Sequence, residues 1–284
     1  MVVSMKTLLF LVAAVALHAG PPAARVQYVA MGSSFGAGPG VGARAADSPI
    51  PCMVSAENYA HLLAQMRGFD LTDVTCSGAT TASILESWRG HPPQLEAVGP
   101  ATKLVTITIG GNDVFYIGNL YAWSCASTPQ RFSEPVRPFM CKPTPDAQVE
   151  AAFSGLHGNL RKVVAGIHER SPSAKIVFVD YATVLPPSGS CPDRLPISTD
   201  ELDRGRAVAA RLAAVTAKAA EATGSLLLRA SELTKAHDVC ATDPWVFDLQ
   251  FPSPLGAWGP VAYHPNEKAM RAIAEELNRM LPAF

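Results

Sequence analysis

One serine, one asparagine and one histidine of this sequence lie beside small-residue turns or a predicted helix start, where their side chains could take part in nucleophilic catalysis. Ser34 follows the apolar run of residues 26–31 and lies in a turn of sequence G-S-S-F. At the carboxyl end of a strand it would lie where open α/β sheets bind their ligands, so it is a candidate nucleophile. Asn112 could donate to a developing oxyanion, and His264 could accept the proton of a serine hydroxyl.

Predicted strands alternate with predicted helices along the chain. The strands are short apolar runs, rich in β-branched residues, over residues 26–31, 71–75, 103–109, 175–180 and 225–229. The helices cover residues 55–67, 145–167, 198–222 and 265–281. Such an alternation predicts an α/β fold with a central parallel sheet, helices on both faces and right-handed crossovers.

Apolar periodicity and caps indicate three of these helices. In the helix that opens at Pro145 the apolar stripe consists of Val149, Phe153, Leu156, Leu160, Val163 and Ile167. Ser198 and Glu201 form a capping-box pattern at the start of the next helix. In the first helix, which we expect to end at Gly68, the predicted buried face consists of Tyr59, Leu62, Leu63 and Met66.

The segment of residues 115–139 is rich in apolar and aromatic side chains but has no clean period. Its aromatic residues are Phe115, Tyr116, Tyr121, Trp123, Phe132 and Phe139. A long loop inside a compact domain is usually a functional loop or a lid. The alternative is a satellite hydrophobic cluster held by a disulfide.

The first 24 residues have the parts of a signal peptide. Lys6 supplies the charged start, residues 7–17 form an apolar run too short to span a bilayer, and small residues follow. We therefore expect a secreted protein, extracellular or periplasmic. Residues 25–284 contain no linker, internal repeat or low-complexity tract, so we expect them to form a single domain.

Charge and cysteine usage exclude several classes of site. The 23 Lys and Arg nearly balance the 24 Asp and Glu, which gives no electrostatic basis for binding nucleic acid or an anionic membrane surface. The six cysteines include no C-x-x-C pair, so in an exported chain they predict disulfides rather than a zinc site. The simplest of the possible pairings is sequential and joins Cys52 to Cys76, Cys125 to Cys141, and Cys191 to Cys240.

Four stretches, in order along the chain, resemble the four sequence blocks of the SGNH hydrolases, also called GDSL esterases and lipases. They are Gly32-Ser33-Ser34-Phe35, Gly78 in its C-S-G turn, Gly110-Gly111-Asn112-Asp113, and His264 before the last helix. The cysteine layout is most similar to the secreted bacterial branch that holds esterases and phospholipases. The resemblance implies a flavodoxin-like, three-layer α/β/α sandwich and hydrolysis of carboxylic esters without a cofactor or a metal.

The same resemblance implies roles for individual residues. Ser34 is expected to be the nucleophile and His264 the general base. The backbone N–H groups of Ser34 and Gly78 and the side-chain amide of Asn112 are expected to form the oxyanion hole. Asp113 is expected to be a structural cap rather than an acid.

Two positions depart from the family pattern. Ser33 occupies the place of the Asp that usually precedes the nucleophile, and we expect altered rigidity of the turn rather than lost activity. Val261 stands three residues before His264, where the family usually has the Asp that orients the histidine. We therefore expect a Ser34–His264 dyad in which the backbone carbonyl of Val261 or Ala262 orients the imidazole.

Other ionisable groups are weaker candidates for catalytic residues. Asp243 and Asp248 lie on the approach to His264 and are the alternative acids. We also expect the helix predicted to start at Pro265 to lower the pKa of His264, since the positive end of a helix dipole disfavours a cationic ring. The remaining histidines of residues 25–284 have no partner at catalytic or metal-binding spacing, and surface or capping roles are expected for His61, His91, His157, His168 and His237.

The sequence thus predicts a secreted serine esterase or lipase that forms an acyl-enzyme on Ser34 and acts on small-molecule or lipid esters. The apolar residues after Asp113 favour fatty-acyl substrates. One alternative is a carbohydrate O-acetyl esterase of the same fold, which a small polar pocket would favour. Another is a catalytically inactive binding protein, suggested by the departures at Ser33 and Val261. We expect a monomer with no stable membrane anchor.

Overall fold

In the described part of the chain, a five-stranded parallel sheet forms the centre of the fold. The computed structural model describes residues 25–135, 137–249 and 258–284, so the predicted signal peptide of residues 1–24 lies outside the described residues. The strands are β1 (Gln27–Gly32), β2 (Asp70–Asp73), β3 (Thr102–Thr108), β4 (Lys175–Val179) and β5 (Leu226–Leu228). These are the strands predicted from the sequence, with small shifts at their ends.

The strand order is β2-β1-β3-β4-β5, and it reverses at β1. The chain runs outward from β1 to β2 and then returns to the other side of β1 as β3. The register pairs Gly32 with Thr108, so β1 and β3 end at the same level. Open α/β sheets bind ligands at such a reversal point, outside the carboxyl ends of the strands. Ser34 and Asn112 follow these two strands and line the same cavity.

Helices connect the strands and cover the sheet. Their bounds are α1 (Ser34–Ala37), α2 (Tyr59–Arg67), α3 (Thr81–Leu85), α4 (Tyr116–Ser127), α5 (Arg137–Met140), α6 (Asp146–Arg170), α7 (Thr199–Thr223), α8 (Ala230–Leu233) and α9 (Glu267–Met280). Short 3₁₀ turns occur at Ile50–Cys52, Gln94–Ala97 and Pro129–Arg131.

Two hydrophobic cores lie on opposite faces of the sheet. Successive residues of β3 contribute to different cores, because side chains alternate between the two faces of a strand. Val105 and Ile107 belong to a core shared with α4, α6 and α7, whereas Leu104 belongs to a core shared with α2 and α9. This arrangement confirms the predicted three-layer α/β/α sandwich with a central parallel sheet.

The two longest helices form where the sequence predicted them. The predicted apolar stripe of α6, from Val149 to Ile167, is buried along its whole length. Ser198 and Glu201 form the predicted capping box of α7. This helix ends at Gly224, which has a φ of 66°, a left-handed conformation that glycine adopts at no steric cost.

The prediction of a long loop over residues 115–139 is wrong for most of that segment. Tyr116–Ser127 forms α4, and Arg137–Met140 forms α5. The buried residues of α4 are Tyr116, Ile117, Asn119, Leu120, Ala122, Trp123, Ser124 and Cys125. A helix that is buried nearly all round has no polar face, so its sequence shows no amphipathic period. The side chain of Phe139 lies outside the described residues.

The predicted bounds and buried face of α2 need correction. The helix begins at Tyr59, because the Asn58 side chain accepts a hydrogen bond from the His61 N–H and caps the first turn. Met66 was predicted to be buried but is 41% exposed. The buried face that α2 contributes to the core shared with α9 includes Leu63.

The last helix also begins later than predicted. It starts at Glu267, and the Asn266 side chain accepts hydrogen bonds from the N–H groups of Lys268 and Ala269. Pro265 therefore precedes the cap rather than opening the helix. His264 is correspondingly farther from the positive end of the helix than the sequence suggested.

Three disulfides join the cysteines in the sequential pairs predicted, Cys52–Cys76, Cys125–Cys141 and Cys191–Cys240. The first connects the 3₁₀ turn that follows α1 to the turn that carries Gly78. The second connects α4 to the residue after α5. No helix among the described residues is long and apolar enough to cross a membrane.

Candidate active site

The turn after β1 holds Ser34 at the first residue of α1. Gly32 has a φ of 137°, and a Cβ there would lie 2.2 Å from the Thr108 carbonyl oxygen, so only glycine allows β1 and β3 to approach this closely. The Ser33 N–H donates to the same carbonyl at 2.9 Å. The buried Gln94 side chain binds both the N–H and the carbonyl of Gly32, at 2.8 and 3.0 Å. The backbone that carries Ser34 is therefore fixed from two sides.

His264 lies against Ser34 in the geometry of a base and its nucleophile. Its Nε2 is 2.8 Å from Ser34 Oγ, and its Nδ1 is 2.8 Å from the Ala262 carbonyl oxygen. A carbonyl oxygen can only accept, so we assign the proton to Nδ1, and Nε2 is then free to accept the Ser34 hydroxyl proton. Of the two carbonyls predicted to orient the ring, the Ala262 carbonyl makes the contact. The Val261 carbonyl instead accepts from the His264 backbone N–H at 3.3 Å.

Burial makes His264 a weak base for its type. Desolvation lowers the pKa of His264 from 6.5 to about 4, and the hydrogen bond to Ala262 opposes this shift. The Phe35 ring covers one side of the imidazole, with ring centroids 5.1 Å apart. The direction of the shift agrees with the expectation from the sequence, but the cause is burial rather than the dipole of α9.

Neither alternative acid reaches His264 in the described structure. The Asp243 carboxylate binds the Lys268 ammonium group and the Trp245 indole N–H, and the hydrogen bond from Lys268 lowers the pKa of Asp243. Asp248 makes no hydrogen bond to His264, whose two ring nitrogens are occupied by Ser34 and Ala262. The geometry therefore fits a dyad of Ser34 and His264 with a backbone partner.

A cavity of about 250 Å³ opens over Ser34. Its polar lining residues include Ser34, Ser77, Gly78, Asn112 and His264, and its apolar lining includes Pro39, Met53, Ile117, Tyr121 and Val261. One wall is therefore formed by α4, in the segment that the sequence predicts to be a loop. No lining residue carries a charge at neutral pH, because burial keeps His264 neutral.

The three predicted oxyanion donors lie around this cavity. Asn112 Nδ2 donates to the Ala79 carbonyl at 2.9 Å, which holds the amide beside Gly78 and leaves its second N–H for a ligand. Gly78 has a φ of 86°. Among the hydrogen bonds of the described residues, the backbone N–H groups of Ser34 and Gly78 donate to no protein acceptor. Three donors next to a serine hydroxyl can stabilise an oxyanion.

Asp113 lies outside this set of donors. Its carboxylate accepts hydrogen bonds from the backbone N–H and the hydroxyl of Thr81, at the start of α3. Burial raises the pKa of Asp113, and these hydrogen bonds oppose the shift. The geometry is that of the structural cap expected from the sequence.

Tyr181, which sequence reasoning missed, joins the turns after β1 and β3. Its buried hydroxyl accepts a hydrogen bond from the Gly111 N–H at 2.8 Å and lies 3.1 Å from Ser33 Oγ, to which it can donate. A Cβ on Gly111 would lie 2.5 Å from the Tyr181 ring, so glycine is required for this approach. The available signal was position alone, since Tyr181 follows the carboxyl end of β4 closely.

Three of the remaining histidines make contacts outside the Ser34 site. His61 Nδ1 is 3.4 Å from the Asp73 carboxylate, and the His237 ring stacks on Trp245 with centroids 3.8 Å apart, so both have partners that spacing did not reveal. His91 is near the Cys52–Cys76 disulfide. Within the described residues those three side chains are close enough to suggest a metal site, but a disulfide has no free thiolates and does not fit one.

Comparisons with known proteins agree with the fold and with the family that the sequence resembles. Residues 30–272 match the model of the GDSL-like lipase/acylhydrolase family. Lipase 2 of Streptomyces coelicolor is 33% identical over 269 residues, covering 91% of this chain and 87% of the relative.

Two solved structures extend the match to three dimensions. The extracellular lipase of Streptomyces rimosus has a TM-score of 0.71 at 27% identity and covers 90% of this chain and 100% of its own. Phospholipase A1 of Streptomyces albidoflavus has a TM-score of 0.72 at 24% identity, covers 91% and 100% of the two chains, and supports the fold. The chain therefore belongs to the GDSL-like lipase/acylhydrolase family, and with it to the carboxylic ester hydrolases.

Proposed function

We propose that this protein is a secreted esterase or lipase that hydrolyses fatty-acyl esters through an acyl-enzyme on Ser34. The observation that carries the proposal is the 2.8 Å contact between Ser34 Oγ and His264 Nε2, with Nδ1 held by the Ala262 carbonyl. A serine hydroxyl is a weak nucleophile alone, and an oriented neutral base activates it.

In the acylation step, Ser34 Oγ attacks the carbonyl carbon of the ester while its proton moves to His264 Nε2. The carbonyl oxygen becomes an oxyanion, which accepts hydrogen bonds from the N–H groups of Ser34, Gly78 and Asn112. The tetrahedral intermediate then collapses, the bond to the alcohol breaks, and the imidazolium returns its proton to the leaving oxygen. The acyl group remains as an ester on Ser34.

In the deacylation step, water takes the place of the alcohol. His264 Nε2 accepts a proton from the water as its oxygen attacks the acyl carbonyl, and the same donors bind the second oxyanion. Ser34 Oγ leaves and takes the proton back from Nε2. The products are one carboxylic acid and one alcohol, and the enzyme returns to its initial state without a cofactor.

The cavity lining supports acyl chains longer than acetate. Ile117, Tyr121 and Val261 present apolar surface beside Ser34, and each buried methylene contributes about 0.8 kcal/mol to binding. Phe115, the first of the aromatic residues after Asp113, is 37% exposed and is not among the residues that line the cavity. We therefore assign acyl preference to Tyr121 rather than to Phe115. A carbohydrate O-acetyl esterase would need a smaller and more polar pocket.

We further propose that residues 1–24 direct export and that residues 25–284 form one monomeric domain. The three disulfides support an oxidising compartment, since such bonds persist outside the cytosol.

The test compares Ser34→Ala with its neighbour Ser33→Ala on p-nitrophenyl hexanoate, together with labelling by a fluorophosphonate probe. We expect Ser34→Ala to lose several orders of magnitude in kcat and all labelling, because the nucleophile has no substitute. Ser33→Ala should still be labelled. If Ser34→Ala keeps full rate, the acyl-enzyme on Ser34 is wrong. If the wild-type protein neither reacts with the probe nor cleaves the ester, the proposed activity is wrong and a binding protein is the better description.

A further inference from the structure

A buried hydrogen bond joins helix α4 to the residue before His264. The Tyr263 hydroxyl lies 2.6 Å from Ser124 Oγ, and neither residue is exposed to solvent. Ser124 belongs to α4, so the bond connects a wall of the cavity to the segment that carries the proposed base. The ester mechanism described above uses neither hydroxyl. Because buried hydroxyls need partners, the pair fixes the position of one element relative to the other.

Tyr263 has a backbone conformation that is unusual for a bulky residue. Its φ is 61°, in the left-handed region that such residues rarely adopt. Strained residues of this kind persist only where the surrounding structure fixes them, and they cluster at active sites. The Tyr263 side chain is fixed on α4 by its hydroxyl and by an edge contact with the Tyr121 ring, at a centroid distance of 5.5 Å. Contacts with α4 therefore support the strained backbone.

The turn at Tyr263 sets the direction of the peptide group between Ala262 and Tyr263. The N–H of this peptide group donates to the Phe247 carbonyl at 2.8 Å, and its carbonyl oxygen lies 2.8 Å from His264 Nδ1. Rotation of the peptide group would remove the acceptor of the Nδ1 proton. Val261 carries no side-chain acceptor that could replace it. The orientation of the imidazole therefore depends on the conformation of one peptide group.

Tyr121 connects α4 to the same peptide segment a second time. Burial raises the pKa of the Tyr121 hydroxyl, and a hydrogen bond with the Ala262 backbone opposes the rise. The Tyr121 side chain also lines the cavity over Ser34. One helix thus contacts both residues that precede His264 and forms part of the surface on which the substrate would lie.

We infer that Tyr263 and Ser124 are positioning residues for His264. Their hydrogen bond keeps the Tyr263 backbone in its left-handed turn and the Ala262 carbonyl on Nδ1, so that Nε2 faces the Ser34 hydroxyl. The pair thereby takes over the task that the acid side chain performs in a triad. The inference rests on the proposed function, since it concerns the base of that reaction, and neither residue needs to touch the substrate.

The test uses two single variants, their combination and a matched tyrosine. Tyr263→Phe and Ser124→Ala each remove the hydrogen bond and leave one hydroxyl buried without its partner, whereas the double variant removes both hydroxyls. Tyr28→Phe is the control, because the Tyr28 hydroxyl makes an equally buried hydrogen bond of 2.7 Å to the Thr106 hydroxyl within the sheet. We measure kcat and KM on p-nitrophenyl hexanoate and the midpoint of thermal unfolding for each protein.

We expect both single variants to lower kcat about tenfold at nearly constant KM, because the base is less often oriented while the substrate contacts remain. Both should also unfold at a lower temperature than the wild type. Tyr28→Phe should show the lower midpoint but the wild-type kcat.

The double variant separates positioning from stability. Removal of both partners of a buried hydrogen bond is nearly neutral for stability, so its unfolding midpoint should return towards that of the wild type. Its kcat should nevertheless stay as low as in either single variant, because all three lack the same hydrogen bond. A bond that only stabilised the fold would let kcat recover together with the midpoint.

A spectroscopic measurement reports on the Nδ1 proton of His264 without turnover. In protein labelled with ¹⁵N-histidine, the hydrogen bond to the Ala262 carbonyl should give a downfield imidazole N–H resonance, assigned by its absence from His264→Ala. This resonance should broaden or disappear through faster solvent exchange in Tyr263→Phe and Ser124→Ala. It should persist in Tyr28→Phe.

Three results would overturn the inference. A wild-type kcat in Tyr263→Phe, or recovery of kcat in the double variant, would show that the pair is a packing contact only. An unchanged Nδ1–H resonance in both single variants would show that other contacts hold the Ala262 carbonyl. A wild-type protein that is inactive on the ester would instead reject the proposed function, and the resonance would still test what the pair holds in place.

Discussion

The pH dependence of ester hydrolysis should report the pKa of His264. Burial lowers this pKa from 6.5 to about 4, and only the neutral imidazole can accept the Ser34 proton. The rate constant kcat/KM should therefore be half-maximal near pH 4, fall roughly tenfold per pH unit below that point, and stay level into the alkaline range. A single limb is expected, because no carboxylate contacts the ring.

The size of the effect makes it easy to measure. At about pH 5.5 a histidine of ordinary pKa is only about 10% neutral, whereas one with a pKa of about 4 is about 97% neutral. The ratio of kcat/KM at about pH 5.5 to that at about pH 8 should therefore be close to one rather than near one tenth. The assay uses p-nitrophenyl hexanoate followed at the isosbestic wavelength of p-nitrophenol, so that the titration of the product does not enter.

The lowered pKa of His264 also makes the free energy of unfolding depend on pH, separately from its effect on the rate. Between about pH 4 and pH 6.5 the unfolded chain binds a proton on His264 that the folded protein does not. The free energy of unfolding therefore rises with pH across this window, by about 3 kcal/mol from His264. Above the window His264 is neutral in both states, so it causes no further change. Circular dichroism at each pH should show that the rates below pH 5 come from folded protein.

Asp243→Asn and Asp248→Asn are the matched controls for the backbone-partner dyad. Both variants should keep most activity and the same pH profile, since the two imidazole nitrogens bond to Ser34 and to the Ala262 carbonyl instead. A limb between about pH 6 and pH 7, or a loss of roughly 1,000-fold in either variant, would refute the reasoning and point to a carboxylate that completes a triad.

Two further substitutions test the groups around Ser34. Asn112→Ala should lower kcat by roughly 100-fold to 1,000-fold with a smaller change in KM, because the amide acts mainly on the oxyanion. An unchanged kcat in steady-state assays would remove it from the site. Tyr181→Phe should lower kcat about tenfold at nearly constant KM, since the Gly111 N–H and the Ser33 hydroxyl lose a buried partner. A change confined to KM would contradict that positioning role.

The sequence predicted the sheet well because buried parallel strands have a local signature. Short β-branched runs such as that of β3 can be recognised without knowledge of their neighbours. The same holds for α6, whose stripe from Val149 to Ile167 repeats at the helical period. By contrast α4 escaped detection, because its burial on nearly all sides removes the polar face that would mark the period.

The candidate site, too, could be predicted from the sequence only in part. The proposed roles of Ser34, Asn112 and His264 could be predicted, because each residue stands next to a small-residue turn or a helix start. The choice between the carbonyls of Val261 and Ala262 could not be made, since it depends on the direction of a peptide group. Tyr181 could not be found either, because its role comes from a contact across three strands and leaves no pattern in the chain.

The backbone partner of His264 has a consequence for how this enzyme tolerates change over evolutionary time. A side-chain acid can be lost in a single codon change, but the Ala262 carbonyl is present whatever residue occupies that position. The residue at which substitution should matter most is Tyr263, which lies between Ala262 and His264. Its φ is 61°, and its hydroxyl is 2.6 Å from Ser124 Oγ. Under the proposed mechanism the function then depends on a backbone conformation rather than on the identity of one side chain. A sequence search that requires Asp three residues before the histidine would reject this chain, where that position is Val261.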